Sequence, residues 1–322
     1  MLQVKDLWVT YKSRRSAGVA AVRGVQFDIP DNTFVGLVGE SGCGKSTLGF
    51  AIAGLLDPKR NNVQGEVMLD GQDLRKLPSE QMRALRWSKL SVVLQGGMNA
   101  FNPVLKIKHQ FMDVMREHSN MSKAEMTERI AELLSAVDLD PSVMESYPHE
   151  LSGGMKQRAA IALSLVLKPR LVILDEPTTA LDAVVQRSIV TMLSDLQREL
   201  GFSVLFVSHD LGLVLEVAQR VMVMYAGQIV EDKPASMLME QAEHPYTQAL
   251  LGCYANPRAE HVSLSGIPGS PPDLRAVLRG CPFAPRCAKK MDICAVETPR
   301  LVKREEGSVL CHLYAPKEVT VR

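Results

Sequence analysis

Residues 39–46 read Gly39-Glu40-Ser41-Gly42-Cys43-Gly44-Lys45-Ser46, with Thr47 next. The apolar run 33–38, bounded by Pro30-Asp31-Asn32 before and Gly39 after, predicts a buried strand, and 46–56 predicts a helix. A glycine-rich turn between a strand and a helix lets backbone N–H groups turn inward on phosphates, and the positive end of the helix adds to the attraction. Lys45 then supplies a point charge to the β- and γ-phosphates, and the Ser46 hydroxyl is placed for Mg²⁺. Cys43 occupies a variable position of the pattern and reads as a small space-filler. The stretch fixes the fold class as α/β, a P-loop nucleoside triphosphatase.

The second half of such a site is Leu171-Val172-Ile173-Leu174-Asp175-Glu176-Pro177. Four apolar residues bury a strand, and Asp175 at its carboxyl end is suited to the Mg²⁺ shell. Glu176, one residue further out, is placed to polarise an attacking water. Phosphoryl transfer to water needs positioning and charge neutralisation more than covalent chemistry.

Working outward, 2–9 and 22–29 read as strands, and 63–69 as a strand closed by Asp70-Gly71. From 79 to 167 helical periodicity dominates, as in 121–138, which predicts a helical insertion. Strand-like runs return at 171–174, 203–207 and 221–224 around a helix at 183–200, the alternation of a mostly parallel sheet. Length and composition agree. A chain of 322 residues is long for one core, and 46% hydrophobic with 23% charged residues is ordinary for a globular protein. Lys and Arg number 37 against 36 Asp and Glu, which excludes a histone-like binder and an acidic disordered chain. No apolar run reaches the roughly 18 residues that a membrane span needs. The first residues, MLQVKDLWVTYK, carry no secretory signal, so the chain is expected on the cytoplasmic side.

Leu151-Ser152-Gly153-Gly154-Met155-Lys156-Gln157-Arg158 resembles the signature motif of ATP-binding cassette (ABC) ATPases, just upstream of the 171–177 strand as in that family. Gln95 matches the Q-loop glutamine, Ala180-Leu181-Asp182 the D-loop, His209 the switch histidine and Tyr11 the adenine-stacking aromatic. Met155 stands where glutamine is more usual, outside the phosphate-contacting glycines. The resemblance implies two such domains meeting head to tail. The P-loop of one holds ATP and Mg²⁺, and the N–H groups of Ser152, Gly153 and Gly154 from the other close over the γ-phosphate. It further implies that Gln95 touches Mg²⁺ and the attacking water, that His209 holds the γ-phosphate and orients Glu176, and that Asp182 links the two sites.

Four of six cysteines, Cys281, Cys287, Cys294 and Cys311, fall in the last 42 residues, with gaps of five, six and sixteen. Zinc pairs usually stand two to four apart, and disulfides suit a cytoplasmic ATPase poorly. Spacing alone leaves an iron–sulfur cluster, zinc or no metal open. The tail resembles the C-terminal extension of oligopeptide/dipeptide-type ABC importer ATPases. It has the same Pro-rich loop, Ile267-Pro268-Gly269-Ser270-Pro271-Pro272, the same C-x5-C opening, and His244-Pro245-Tyr246-Thr247 at its start. That resemblance implies a [4Fe–4S] cluster on the four cysteines. His312 reads as a surface residue.

The expected organisation is a nucleotide-binding domain over 1–235, with its helical subdomain at about 96–168, and an extension over 236–322. The expected function is the ATP-hydrolysing subunit of a binding-protein-dependent importer of oligopeptides or dipeptides. Its implied partners are a second ATPase subunit, identical or homologous, two transmembrane permease subunits and an extracellular or periplasmic solute-binding protein. Nucleic acid is not among them. Its place is the cytoplasmic face of the inner (plasma) membrane. Gly96-Gly97 departs from the acidic residue and proline more usual after the Q-loop glutamine of peptide importers, which keeps an oligosaccharide or glycoside cargo as the alternative. A soluble ABC ATPase in regulation or nucleic-acid repair is the rival from another class.

Overall fold

The computed structural model describes residues 1–13, 18–97, 100–253 and 266–315. Strands β1 (Leu2–Tyr11), β2 (Val19–Ile29), β4 (Asn61–Leu69) and β5 (Gln72–Asp73) form an antiparallel sheet in the order β2-β1-β4-β5. The second sheet has eight strands. Its centre is parallel: β9 (Arg220–Tyr225), β3 (Phe34–Val38), β8 (Ser203–Ser208), β7 (Leu171–Asp175) and β6 (Leu90–Val93). β10 (Gln228–Pro234) pairs antiparallel with β9, and the hairpin of β11 (Leu301–Arg304) and β12 (Gly307–Leu310) pairs on to β10 through β12.

Both faces of the parallel centre are covered, which is why these strands read as continuous apolar runs. Side chains alternate between the faces. Phe34, Val172, Leu174, Val204 and Phe206 join one core, with the helices α3 (Ile107–His118), α4 (Lys123–Ala136), α5 (Gly153–Ser164) and α6 (Ala183–Leu200). Val35, Leu37, Leu171, Ile173, Leu205 and Val207 join the other, with α1 (Lys45–Ile52) and the antiparallel sheet. Each fully buried aliphatic or aromatic side chain here contributes about 1.5–3 kcal/mol.

The 79–167 stretch is not helical throughout. After α2 (Ser79–Leu85) comes β6, a four-residue strand at the end of the parallel sheet. So short an apolar run has no period of its own, and only the partner β7 decides its conformation. β10 and the β11–β12 hairpin also go beyond the strands read from the sequence. α1 is shorter than 46–56 because the chain turns at Gly54, whose φ is 62°. α4 begins at a capping box in which Ser122 and Glu125 satisfy each other's backbone N–H groups. α7 (Leu211–Val217) follows β8, and α8 (Ala235–Gln241) and α9 (Pro245–Gly252) follow β10.

Candidate nucleotide site

The loop between β3 and α1 closes because three of its residues take a backbone that glycine adopts freely: Gly39 at φ 154°, Gly42 at 78° and Gly44 at 111°. Space is as limiting as torsion. A Cβ on Gly39 would lie 2.1 Å from the Met224 carbonyl oxygen, and one on Gly44 2.1 Å from that of Ala21. Lys45 Nζ is buried and donates to the loop's own carbonyls, Gly39 O at 2.7 Å and Glu40 O at 3.1 Å. Cys43 is buried beneath it, with Sγ 3.9 Å from Nζ, and burial raises its thiol pKa.

Parallel pairing of β3, β8 and β7 brings three strand ends to the loop. Ser46 Oγ donates to Asp175 Oδ1 at 2.9 Å. The second oxygen, Asp175 Oδ2, is buried with no hydrogen-bond partner, and burial raises the pKa of this carboxyl. A hydroxyl beside a carboxylate oxygen that lacks a partner fits a small hard cation such as Mg²⁺.

Glu176 follows in the left-handed region at φ 46°, a conformation that costs a non-glycine residue about 1–2 kcal/mol. Its N–H is held by the Val207 carbonyl at 2.9 Å. Three side chains converge on its carboxylate. Gln95 Nε2 donates to Oε2 at 3.1 Å, Thr179 Oγ1 donates to the same oxygen at 3.1 Å, and His209 Nδ1 lies 3.5 Å from Oε1. His209 is 60% exposed and Glu176 15%, so the carboxylate is fixed while the imidazole faces outward. Thr179 was not legible as a site residue; its signal is its place three positions after Glu176, in the same turn.

Tyr11, Ser41, Gly42, Gly44, Lys45, Ser46, Thr47, Gln95 and Glu176 line one open cavity of about 310 Å³, together with Val19, Ala21 and Leu274. Tyr11 Oη and Thr47 Oγ1 share a hydrogen bond of 2.9 Å across its rim. Glu40 is turned away, and its carboxylate is taken by Arg286. Ser152, Gly153, Gly154 and Asp182 do not line the cavity. Ser152 caps α5, accepting from Met155 N at 3.3 Å, and Asp182 caps α6, accepting from Val184 N and Val185 N at 3.1 and 3.0 Å. Of the Q-loop stretch 95–103, Met98 and Asn99 lie outside the described residues.

The four tail cysteines are neighbours. Cys281 N donates to the Cys294 carbonyl at 2.8 Å, and Cys281, Cys287 and Cys311 each lie within electrostatic reach of Cys294. Nearby backbone N–H groups donate to the cysteine carbonyls: Ala284 N to that of Cys281 at 3.0 Å, Lys290 N to that of Cys287 at 3.3 Å and Tyr314 N to that of Cys311 at 3.2 Å. Burial pushes the Cys281 thiol up to about 11 and also raises Cys287 and Cys311. Among the described residues, no three His, Cys, Asp or Glu side chains are arranged to hold a metal ion. The expected metal centre is therefore not present as a closed ligand set. His312 Nε2 pairs with the Glu297 carbonyl at 2.9 Å.

Comparison with known proteins covers both parts of the chain. The model of the ABC transporter family matches residues 22–179. The model of the oligopeptide/dipeptide transporter C-terminal region matches residues 230–294. The oligopeptide transport ATP-binding protein OppD of Escherichia coli (strain K12) is 40% identical over 93% of this chain and 89% of its own length. The dipeptide transport ATP-binding protein DppD of Caldanaerobacter subterraneus subsp. tengcongensis is 38% identical over 98% of this chain and 97% of its own. Among solved structures, a dimeric ATP-binding cassette in a post-hydrolysis state with ADP and Pi superposes with a TM-score of 0.65. It is 29% identical and covers 73% of this chain and 99% of its own.

Proposed function

The chain belongs to the ABC transporter family, in its ATP-binding branch, and from that premise we propose that it is the ATP-hydrolysing subunit of an importer of oligopeptides or dipeptides. The observation that carries this reading is the joining of two things in one chain. The phosphate loop and Glu176 line one cavity, with Asp175 joined to it through Ser46, and a second segment matches the oligopeptide/dipeptide transporter C-terminal region. The relatives named above are peptide transport proteins by name, which favours peptide over the oligosaccharide that Gly96-Gly97 left open.

Each residue then has a task in hydrolysis. The loop amides and Lys45 hold the β- and γ-phosphates, and Tyr11 stacks on the adenine. Ser46 and Asp175 hold Mg²⁺, which would neutralise charge on the phosphate oxygens. Glu176 orients the attacking water, and its strained backbone and three neighbours keep the carboxylate in place. Gln95 touches the same water and relays the position of the membrane partner. His209 rotates from solvent on to the γ-phosphate. Ser152, Gly153 and Gly154 act on the ATP of a second ATPase subunit, since they are absent from the cavity of their own chain, and Asp182 links the two. Donors supplied only on closure tie hydrolysis to assembly. No helix among the described residues is long and apolar enough to cross a membrane. Translocation therefore falls to two permease subunits, with a solute-binding protein outside and this chain on the cytoplasmic face.

Cys281, Cys287, Cys294 and Cys311 would hold a [4Fe–4S] cluster, whose chemistry here is cross-linking of a small, loop-rich extension. What supports the reading is the gathering of the four cysteines in one extension, where Cys281, Cys287 and Cys311 each lie within electrostatic reach of Cys294, together with a thiol donor set of the kind that iron–sulfur clusters use. Iron and acid-labile sulfide in anaerobically purified protein test it, and absence of both removes the cluster. The transport reading is tested by purifying the chain with its permeases and reconstituting them with the solute-binding protein. ATP-driven uptake of labelled di- and tripeptides is expected; uptake of oligosaccharide with none of peptide overturns it.

A further inference from the structure

Glu40, the second residue of the phosphate loop, is held from the far end of the chain. Arg286 lies between the first two cysteines of the tail and is 9% exposed. Its guanidinium grips the Glu40 carboxylate with both arms, Nη1 to Oε2 at 2.7 Å and Nη2 to Oε1 at 3.0 Å. The remaining donors are used as well: Nε gives to the Pro268 carbonyl at 2.8 Å, and Nη1 also reaches the Tyr225 hydroxyl at 3.3 Å. The group stacks 5.8 Å over the Tyr225 ring, itself packed against Tyr246 and Phe283. Tyr246 adds a second hold, because its hydroxyl accepts from the Glu40 N–H at 3.0 Å. Glu40 is thus fixed at its backbone and its side chain, and its carbonyl accepts from Lys45 Nζ. The same extension reaches the other side of the cavity, where Leu274 lines the rim and its carbonyl accepts from Ala20 N at 3.3 Å.

We infer that Arg286 is a positioning residue for the nucleotide site: through Glu40 it holds the phosphate loop in its ATP-binding shape. A bidentate pair in low-dielectric surroundings is directional, and removing one partner leaves the other charged and unpaired. With Arg286 gone, Glu40 turns toward solvent and its carbonyl no longer stays where the Lys45 amine meets it. The loop must then be ordered by ATP itself, so ATP binds more weakly while turnover of bound ATP is unchanged. An arginine that only anchored the tail would leave ATP affinity alone. This inference rests on the reading of the loop as the ATP site, which the wild-type protein tests by itself: no ATP binding there sinks that reading.

The test is a double-mutant cycle on the full-length chain, with Kd for a fluorescent ATP analogue, and KM and kcat for ATP in the assembled transporter. R286M keeps the bulk and removes the charge; E40Q keeps the loop and removes the partner. Each is expected to raise Kd and KM about tenfold with kcat within twofold, and the double variant to be no worse than E40Q. Wild-type affinity in R286M, or effects of R286M and E40Q that multiply in the double variant, overturns the inference. If R286M cannot be recovered folded, R286Q, which also removes the charge, takes its place in the same cycle under the same two criteria.

Discussion

Ser46 donates its hydroxyl to Asp175 Oδ1 at 2.9 Å, and the other oxygen of that carboxylate is buried with nothing to accept from. The arrangement is costly without a cation, since a buried carboxylate oxygen without a partner forfeits its hydration. It therefore separates stability from activity. Asp175→Asn should melt at or above the wild-type temperature without nucleotide, while its ATPase falls about 10²-fold or more and half-maximal activity needs more Mg²⁺. A Mg²⁺ titration of ATPase beside a thermal melt checks both, and an unchanged Mg²⁺ requirement removes Asp175 from the metal shell.

Glu176→Gln should keep ATP binding and lower turnover by about 10²–10⁴-fold, the range for loss of a positioned base. Size-exclusion chromatography with ATP and Mg²⁺ should then show a persistent nucleotide-bound dimer. Turnover at the wild-type rate would place the water-orienting role on another residue.

Thr179→Val probes the same carboxylate more gently. It removes one of the two side-chain donors to Glu176 Oε2 and leaves the other, Gln95. Loss of one hydrogen bond to a carboxylate held elsewhere is worth about 1 kcal/mol, so kcat should fall about fivefold. Steady-state kinetics decide it, and an unaffected kcat would make Thr179 a bystander.

His244 gives the molecule an acid limit. It is buried, accepts from Tyr246 N at 3.0 Å through Nδ1, and burial lowers its pKa from 6.5 to about 3. The unfolded chain protonates this ring below pH 6.5 while the folded chain does not, so the unfolded state binds more protons and stability falls as pH falls. The slope approaches about 1.4 kcal/mol per pH unit at most. Burial raises the pKa of Glu231, which accepts from the His244 backbone N–H and acts in the opposite sense, so the window just below 6.5, down to about pH 5, is read as a comparison of wild type with the His244 variant. Melting temperatures should decline across that window in the wild type and less in His244→Gln; parallel declines would refute the assignment.

The candidate nucleotide site was legible as a pattern because the chemistry proposed for it demands particular residues at fixed spacing along the chain. Gly39, Gly44, Lys45 and Ser46 sit within one turn, and Asp175 and Glu176 at one strand end. Asp182 and Ser152 were equally visible, although in this single chain both serve as helix caps. What stayed hidden depends on partners distant in sequence. β6 is a strand because β7 lies beside it, and the pairing of Arg286 with Glu40 spans 246 positions, with no local pattern to announce it. The metal centre was implied by resemblance, the cysteine spacing alone leaving it open, because spacing sets neither sulfur–sulfur distances nor rotamers.

The pairing of β12 with β10 has a consequence for biosynthesis. The strand that covers β10 is translated roughly seventy positions after it, beyond α8, α9 and β11. A ribosome that has already released the whole phosphate site therefore still carries a chain whose sheet ends in a row of open N–H and C=O groups. Until residues 307–310 emerge, that row is available to any neighbouring strand, including that of another nascent copy.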